Sequence, residues 1–292
     1  MKSGFISIIG RPNVGKSTLL NAVLGEKIAI ATNKPQTTRN TIRGIYTTDD
    51  AQMVFLDTPG IHKGKTKLGE YMTDLAFTSL KEVEVILFLV DSSITKGPGD
   101  AHIVEFLKKV NTPKFLIINK MDTMSPDEYR KIYEEYEEIG IFEEIIGLSA
   151  LESTNIDILL DKIEEKLEEG PQYFPREMLT DNPERFLVSE ILREKALLYL
   201  DDEVPHGVAV EIEAFVEEEN VTKIAAVIYC ERKSHKGIII GKGGRKLKGI
   251  GKSSREEIEA LLGCKVFLQL WVKVKENWRD SNAALSNFGY RQ

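Results

Sequence analysis

Over its first 170 residues the chain alternates short apolar runs with longer amphipathic stretches. Phe5–Ile9, Met53–Leu56, Val85–Val90, Phe115–Ile118 and Ile145–Leu148 are short, continuous and apolar, which predicts buried strands. Between them, Lys16–Leu24, Leu68–Leu80, Ala101–Val110, Pro126–Glu138 and Ile156–Glu168 carry apolar residues at helical spacing. Strand and helix in alternation predict a mostly parallel sheet with helices on both faces, an α/β domain over residues 1–170. The pattern stops at Gly170-Pro171, and residues 171–182 read as a linker.

Residues 183–292 follow another pattern. Glu184–Leu200 has helical periodicity, Val208 to Val216 alternates with period two, Ile224–Tyr229 is a second strand and Val266 to Val274 a third. A glycine cluster at 241–244 and a helix near Ser254–Leu262 fall between the last two strands, with Ser254 and Glu257 reading as a capping box. The sum is a smaller α+β domain. Trp271 is expected to pack on the sheet, and Trp278, Phe288 and Tyr290 to pack or fray with the tail.

Composition narrows the class. A chain of 292 residues, 42% apolar and 29% charged, suits two soluble globular domains. Two cysteines build no disulfide framework, and the four scattered histidines exclude a structural zinc site. No apolar run approaches bilayer length and the N-terminus lacks signal-peptide character, so a cytoplasmic protein without a transmembrane segment is expected. The net charge of −7 is divided: residues 220–292 hold 15 Lys and Arg against 6 Asp and Glu, a balance of +9. Residues 1–219 hold the remaining 24 against 40, a balance of −16. A basic C-terminal quarter on an acidic chain points to a nucleic-acid partner for that quarter.

The chemistry lies in three ordered motifs. Gly10-Arg-Pro-Asn-Val-Gly15-Lys16-Ser17 follows a strand and opens a helix, the context a phosphate-binding loop requires. Its glycines let backbone N–H groups wrap the phosphates, Lys16 reaches the β and γ groups, and the Ser17 hydroxyl ligates Mg²⁺. Gly10, Asn13, Val14, Gly15, Lys16, Ser17 and Thr18 form this part of the nucleotide site. Asp57-Thr58-Pro59-Gly60 ends a strand about 40 residues on, placing Asp57 to hold the metal and the Gly60 N–H near the γ-phosphate. Asn119-Lys120-Met121-Asp122 then selects guanine, because one carboxylate accepts from both N1–H and the 2-amino group. Asn119 is assigned to the base edge, the Lys120 stem to the ring, and Ser149-Ala150-Leu151 to a backbone N–H for O6. Gly251-Lys252-Ser253 repeats the end of the first motif without its first glycine and is set aside.

In the basic domain, Gly241-Lys242-Gly243-Gly244 is a G-x-x-G, preceded by Ile240 and followed by Arg245. Such a loop clamps the backbone of about four unpaired nucleotides, with glycines admitting the chain and cations neutralising phosphates.

These motifs resemble the translation-factor-related class of P-loop GTPases and, within it, the Era family, bacterial GTPases with a C-terminal KH domain of type II. Gln36-Thr37-Thr38-Arg39, Asp57-Thr58-Pro59-Gly60-Ile61-His62 and the stretch Glu231 to Gly244 carry the likeness. The resemblance implies GTP/GDP and Mg²⁺ as cofactors, and Lys16, Thr38, Asp57 and Gly60 as the catalytic set. It also implies Ser17, Thr38 and Asp57 around the metal, and a switch over 32–41. The residues alone do not separate Thr37 from Thr38. Ile61 stands where many GTPases carry a water-orienting glutamine, so slow intrinsic turnover is expected. For Asn13 the resemblance implies a K⁺ contact, with a plain loop-stabilising side chain as the other reading. For partners it implies the 3′ end of small-subunit rRNA, gripped by Ile240 to Arg245, and with it the small ribosomal subunit. Competing readings are a nucleoside kinase or ATPase with an accessory RNA domain, and a signalling or peripherally membrane-associated GTPase whose KH domain does not bind RNA.

Overall fold

The computed structural model describes residues 1–34, 36–61, 64, 66–92 and 97–290. His62 of the family-like motif and Pro35 of the 32–41 stretch lie outside the described residues. The chain forms two compact units, one running to Asp181 and one from Asn182, with 32–37 and 66–68 grouped with the second.

The first unit holds β1 (Lys2–Gly10), α1 (Lys16–Leu24), β2 (Ile42–Thr47), β3 (Ala51–Asp57), α2 (Lys67–Thr78), β4 (Val85–Val90) and α3 (Pro98–Leu107). It continues with β5 (Lys114–Ile118), α4 (Pro126–Glu137), β6 (Glu144–Gly147) and α5 (Ile156–Lys166). The strand order is β2-β3-β1-β4-β5-β6. All neighbours are parallel except β2, which runs antiparallel to β3. Every residue of β4 and β5 is buried, as expected for central strands covered on both faces.

The five expected strands are all present. β2 is a sixth that the pattern did not reveal, since Gly44 and Arg43 interrupt its apolar residues. Gly44 is needed there: a Cβ would stand 2.4 Å from Leu20 Cδ1 of α1. The segment after Gly170 is tied down rather than loose. Leu179 accepts from the Ile45 N–H at 2.8 Å, Gln52 Oε1 takes the N–H groups of Tyr173 and Phe174, and Arg43 pairs with Asp181 at 2.5 Å.

The second unit contains α6 (Glu184–Leu198), β7 (Ala209–Glu218), β8 (Val221–Cys230), α7 (Lys233–Ile240), α8 (Arg245–Leu262), β9 (Lys265–Val274) and the short α9 (Asn282–Asn287). Its sheet runs β7-β8-β9, antiparallel then parallel. Two expectations fail here. α8 starts at Arg245, so Ser254 is a wholly buried residue of the helix interior and not a cap; Glu257 pairs instead with Lys195. The helix begins on Gly244, whose left-handed φ of 76° ends the glycine turn. Trp271 does not pack: it is 44% exposed and Phe267, on the same face of β9, is 54% exposed. The other aromatics do pack, with Trp278 fully buried and donating its indole N–H to the Gly207 carbonyl at 2.9 Å.

Candidate functional site

At the C-terminal ends of β1, β3, β5 and β6, four loops converge, the position where open α/β sheets bind ligands. Gly15, at φ 98°, caps α1, and a Cβ there would meet Asn119 Nδ2 at 2.2 Å, so the close approach of two loops requires glycine. Asn119 staples them. Its Nδ2 donates to the Val14 carbonyl at 2.8 Å and its Oδ1 accepts from the Ala150 N–H at 3.0 Å. Of the backbone N–H groups of Ser149-Ala150-Leu151 assigned to O6, that of Ala150 is therefore engaged, and Asn119 spends both ends of its amide joining loops, not on the base edge. Asp122, by contrast, is aligned by a 2.5 Å bond from the Ser149 hydroxyl. Leu151 is 73% exposed at the rim.

Ser17, Thr38 and Asp57 meet. Ser17 Oγ donates to Asp57 Oδ2 at 2.6 Å and lies 2.9 Å from Thr38 Oγ1. The Thr37 hydroxyl turns instead to Thr32 and to the Lys34 carbonyl, so the structure separates the two threonines. Asp57 Oδ1 is buried without a hydrogen-bond partner, and burial pushes this carboxyl up to about 6 against the pull of Lys16, Ser17 and Thr38. One carboxylate and two hydroxyls are hard oxygen donors. They fit Mg²⁺ shared with phosphate oxygens better than an all-protein cage, and no cluster of three His, Cys, Asp or Glu exists among the described residues. Lys16 is buried and donates to the carbonyls of Gly10 and Arg11 at 3.2 and 2.8 Å, with its pKa lowered by burial to about 8. Thr18 is half-buried on α1. Asn13 is exposed at φ 66°, and its carbonyl receives the Lys120 ammonium at 2.7 Å.

Gly60 lies against the phosphate loop; a Cβ there would come within 2.7 Å of the Pro12 backbone. Next to it the Ile61 N–H donates to Gly10 O at 3.0 Å while its side chain is 2% exposed and joins the core. A side chain buried among Ile9, Phe88 and Val90 has no route to a water.

The second unit presents a different surface. α7 stops at Gly241 (φ 72°), and the turn passes through Gly243 (φ 62°) and Gly244 before α8. A Cβ at Gly243 would meet nothing within 4 Å, so space outside the turn is open. Beside it lies a groove of about 410 Å³, with half-buried Leu247, Leu268 and Leu270 and exposed Lys248, Lys252 and Arg255. Ile240, the residue before the turn, is half-buried against the core of this unit and does not line that groove. Lys252 and Arg255 escaped the sequence reading. With α8 starting at Arg245, the cations at 245, 248, 252 and 255 fall on one helical face, a signal hidden while the helix was placed at Ser254.

Comparison with known proteins agrees along the whole chain. Residues 5–120 match a family described as 50S ribosome-binding GTPase, and residues 203–279 match the KH domain. GTPase Era of Alkaliphilus metalliredigens is 60% identical over 291 residues, 99% of each chain. GTPase Era of Clostridioides difficile is 59% identical over 292 residues, 99% of this chain and 98% of the relative. Two crystal structures superpose with a TM-score of 0.96 and full coverage of both chains. One, 42% identical, is Era in complex with MgGDPNP and nucleotides 1506–1542 of 16S ribosomal RNA. The other, 41% identical, is a point variant of Aquifex aeolicus Era bound to GDP and AlF₄⁻. Relatives this similar from end to end place the protein in the Era family of GTPases.

Proposed function

We propose that the protein is a cytoplasmic GTPase that takes part in assembling the small ribosomal subunit, gripping the unpaired 3′ end of its rRNA through the KH domain. The phosphates lie against the backbone N–H groups from Asn13 to Thr18 and the N-terminus of α1, with Lys16 turning from the loop carbonyls to the phosphates. Ser17, Thr38 and Asp57 would hold Mg²⁺, which when bound neutralises charge on the β and γ phosphates. Asp122 reads guanine, held in place by Ser149. With Ile61 buried, orientation of the attacking water falls to backbone groups near Thr38 and Gly60 or to a partner, so unaided turnover is slow. In the second unit, phosphates approach the turn at Gly241–Gly244 and follow the cations of α8, while bases enter the groove over Leu268 and Leu270.

The observation that carries this reading is the pairing in one chain of a fixed guanine-reading carboxylate with an exposed glycine turn beside a cationic groove. The rRNA bound to Era in the similar crystal structure supports the choice of RNA. Crosslinking in cells followed by sequencing of attached RNA should recover the 3′ end of small-subunit rRNA. Asp122→Asn should lose GTP and gain xanthosine triphosphate, whose 2-position is a carbonyl. ATP competing with GTP within about tenfold would instead favour the ATPase reading.

A further inference from the structure

Four charged side chains meet beside the phosphate loop. Arg11 Nε donates to both oxygens of Asp100, at 2.8 and 2.7 Å, and Arg11 Nη2 lies 3.5 Å from Asp91 Oδ1. The other oxygen of Asp91 takes the Lys120 ammonium at 2.6 Å, and that ammonium also donates to the Asn13 carbonyl at 2.7 Å. The side chains of Asp91 and Asp100 are 3% and 1% exposed. The four residues come from four pieces of chain: the loop after β1, the end of β4, the first turn of α3 and the loop after β5.

Burying two carboxylates against two cations is costly, and such a cluster adds little stability over apolar side chains of similar volume. What it adds is position. Lys120 stands at φ 65°, two residues before Asp122, with its side chain 40% exposed; a single-bonded ammonium on so open a stem would wander. Bonds to Asp91 and to Asn13 O fix it at two points, and Arg11 brings the phosphate loop to the same carboxylate. We propose that Asp91 and Arg11 are positioning residues for guanine nucleotides, holding the base-reading loop and the phosphate loop in one register. This inference rests on the nucleotide site proposed above.

The test compares GDP with inosine diphosphate, which lacks the 2-amino group, on full-length protein well below each variant's melting midpoint. Asp91→Asn should weaken GDP by about tenfold or more, the usual scale for a lost charge-assisted bond. It should also lower the ratio of GDP to IDP affinity by about threefold or more, because Asp122 loses its fixed place along with Lys120. Arg11→Lys keeps the cation but loses the fork, and should move both readouts in the same direction by less; it carries the test if Asp91→Asn does not fold. A network that only stabilises the fold would weaken both nucleotides in proportion and leave the ratio alone. That outcome, or GDP affinity within about twofold of wild type in folded variants, overturns the proposal. A wild-type protein with no preference for GDP over IDP would instead overturn the nucleotide site, and this inference with it.

Discussion

The two units are both suited to phosphate, by opposite means. In the first, Lys16, Ser17, Thr38, Asp57 and Asn119 are all buried and bonded to one another or to loop backbone. In the second, Lys242, Arg245, Lys248, Lys252 and Arg255 are exposed on a turn and one helix face. A buried site is pre-organised, and its side chains hold each other as well as the ligand. An exposed cationic surface relies on charge and on room for the ligand, and its parts change with little effect on the fold. Substitution should therefore be drastic and coupled in the first unit, and separable in the second.

The strongest way to sharpen that contrast is Lys16→Ala. It removes the ammonium that donates to Gly10 O at the phosphate loop, and should weaken GDP and GTP by about 10² to 10³-fold, the range for truncating one partner of a buried charge pair. Titration with a fluorescent guanine nucleotide measures it. Because burial already lowers the pKa of this ammonium, its loss should shift the melting midpoint of the nucleotide-free protein little. Binding should suffer far more than folding.

In the second unit the matching change is Lys242→Asp with Gly243→Asp. Gly243 has open space around its missing Cβ, and aspartate tolerates a φ near 62°, so the domain should fold. Two carboxylates where phosphates approach should cut affinity for single-stranded RNA by about 30-fold or more while GTP affinity stays within about twofold. Wild-type RNA affinity should fall with salt at a log–log slope of about −2 to −3, from roughly three to four phosphates at about −0.7 each. Unchanged RNA binding in the folded double variant would move the interface from the glycine turn to the basic surface at large.

A pH profile probes what burial does in the first unit. Asp57, raised to about 6, takes a proton below that pH, and the protonated acid is a poor metal ligand. Lys16, lowered to about 8, loses its charge above that pH and with it the attraction for phosphate. In the nucleotide-free protein, stability falls as pH rises from the ordinary carboxyl range through 6, and recovers as it rises above 8 towards the ordinary lysine value. Binding runs the other way. Affinity for GDP with Mg²⁺ should be highest between about pH 6 and 8 and should fall by up to about tenfold per pH unit on either side. Chelating Mg²⁺ should flatten the acid limb and leave the alkaline one. An acid limb that persists without Mg²⁺ would show that Asp57 is not its source.

The same contrast explains what could be read from the sequence. The phosphate loop, Asp57 and Asn119 to Asp122 are contiguous motifs at strand ends, and their chemistry is local to a few residues. β2 was invisible because its strand character comes from pairing with β3 and from Gly44 beneath Leu20, neither of which is a periodic signal. The Asp91–Arg11–Asp100 cluster joins distant pieces of chain and had no sequence signature. In the second unit one boundary matters twice: because α8 runs from Arg245, Ser254 is buried in the helix and does not cap it, and Lys252 and Arg255 join Arg245 and Lys248 on one face beside the groove. Trp271 departs from the burial usual for a tryptophan because β9 is an edge strand whose outer face stays open.

The smallest expected effect on chemistry is at Ile61, although it adjoins Gly60 in the heart of the site. Its backbone N–H bonds to Gly10 O, which any residue but proline preserves, and its side chain lies in the core with Ile9, Phe88 and Val90. A hydrocarbon facing away from the nucleotide can neither polarise nor orient water. Ile61→Ala should therefore change single-turnover GTP hydrolysis by less than about tenfold, while lowering stability by about 2–5 kcal/mol through the cavity it leaves. Denaturant unfolding and hydrolysis on the same preparation separate the two. Ile61→Gln asks the complementary question: if burial rather than chemistry sets the orientation at this position, an amide forced into that core should destabilise without accelerating hydrolysis. A hundredfold loss of hydrolysis in folded Ile61→Ala would mean that the side chain shapes the catalytic loop directly.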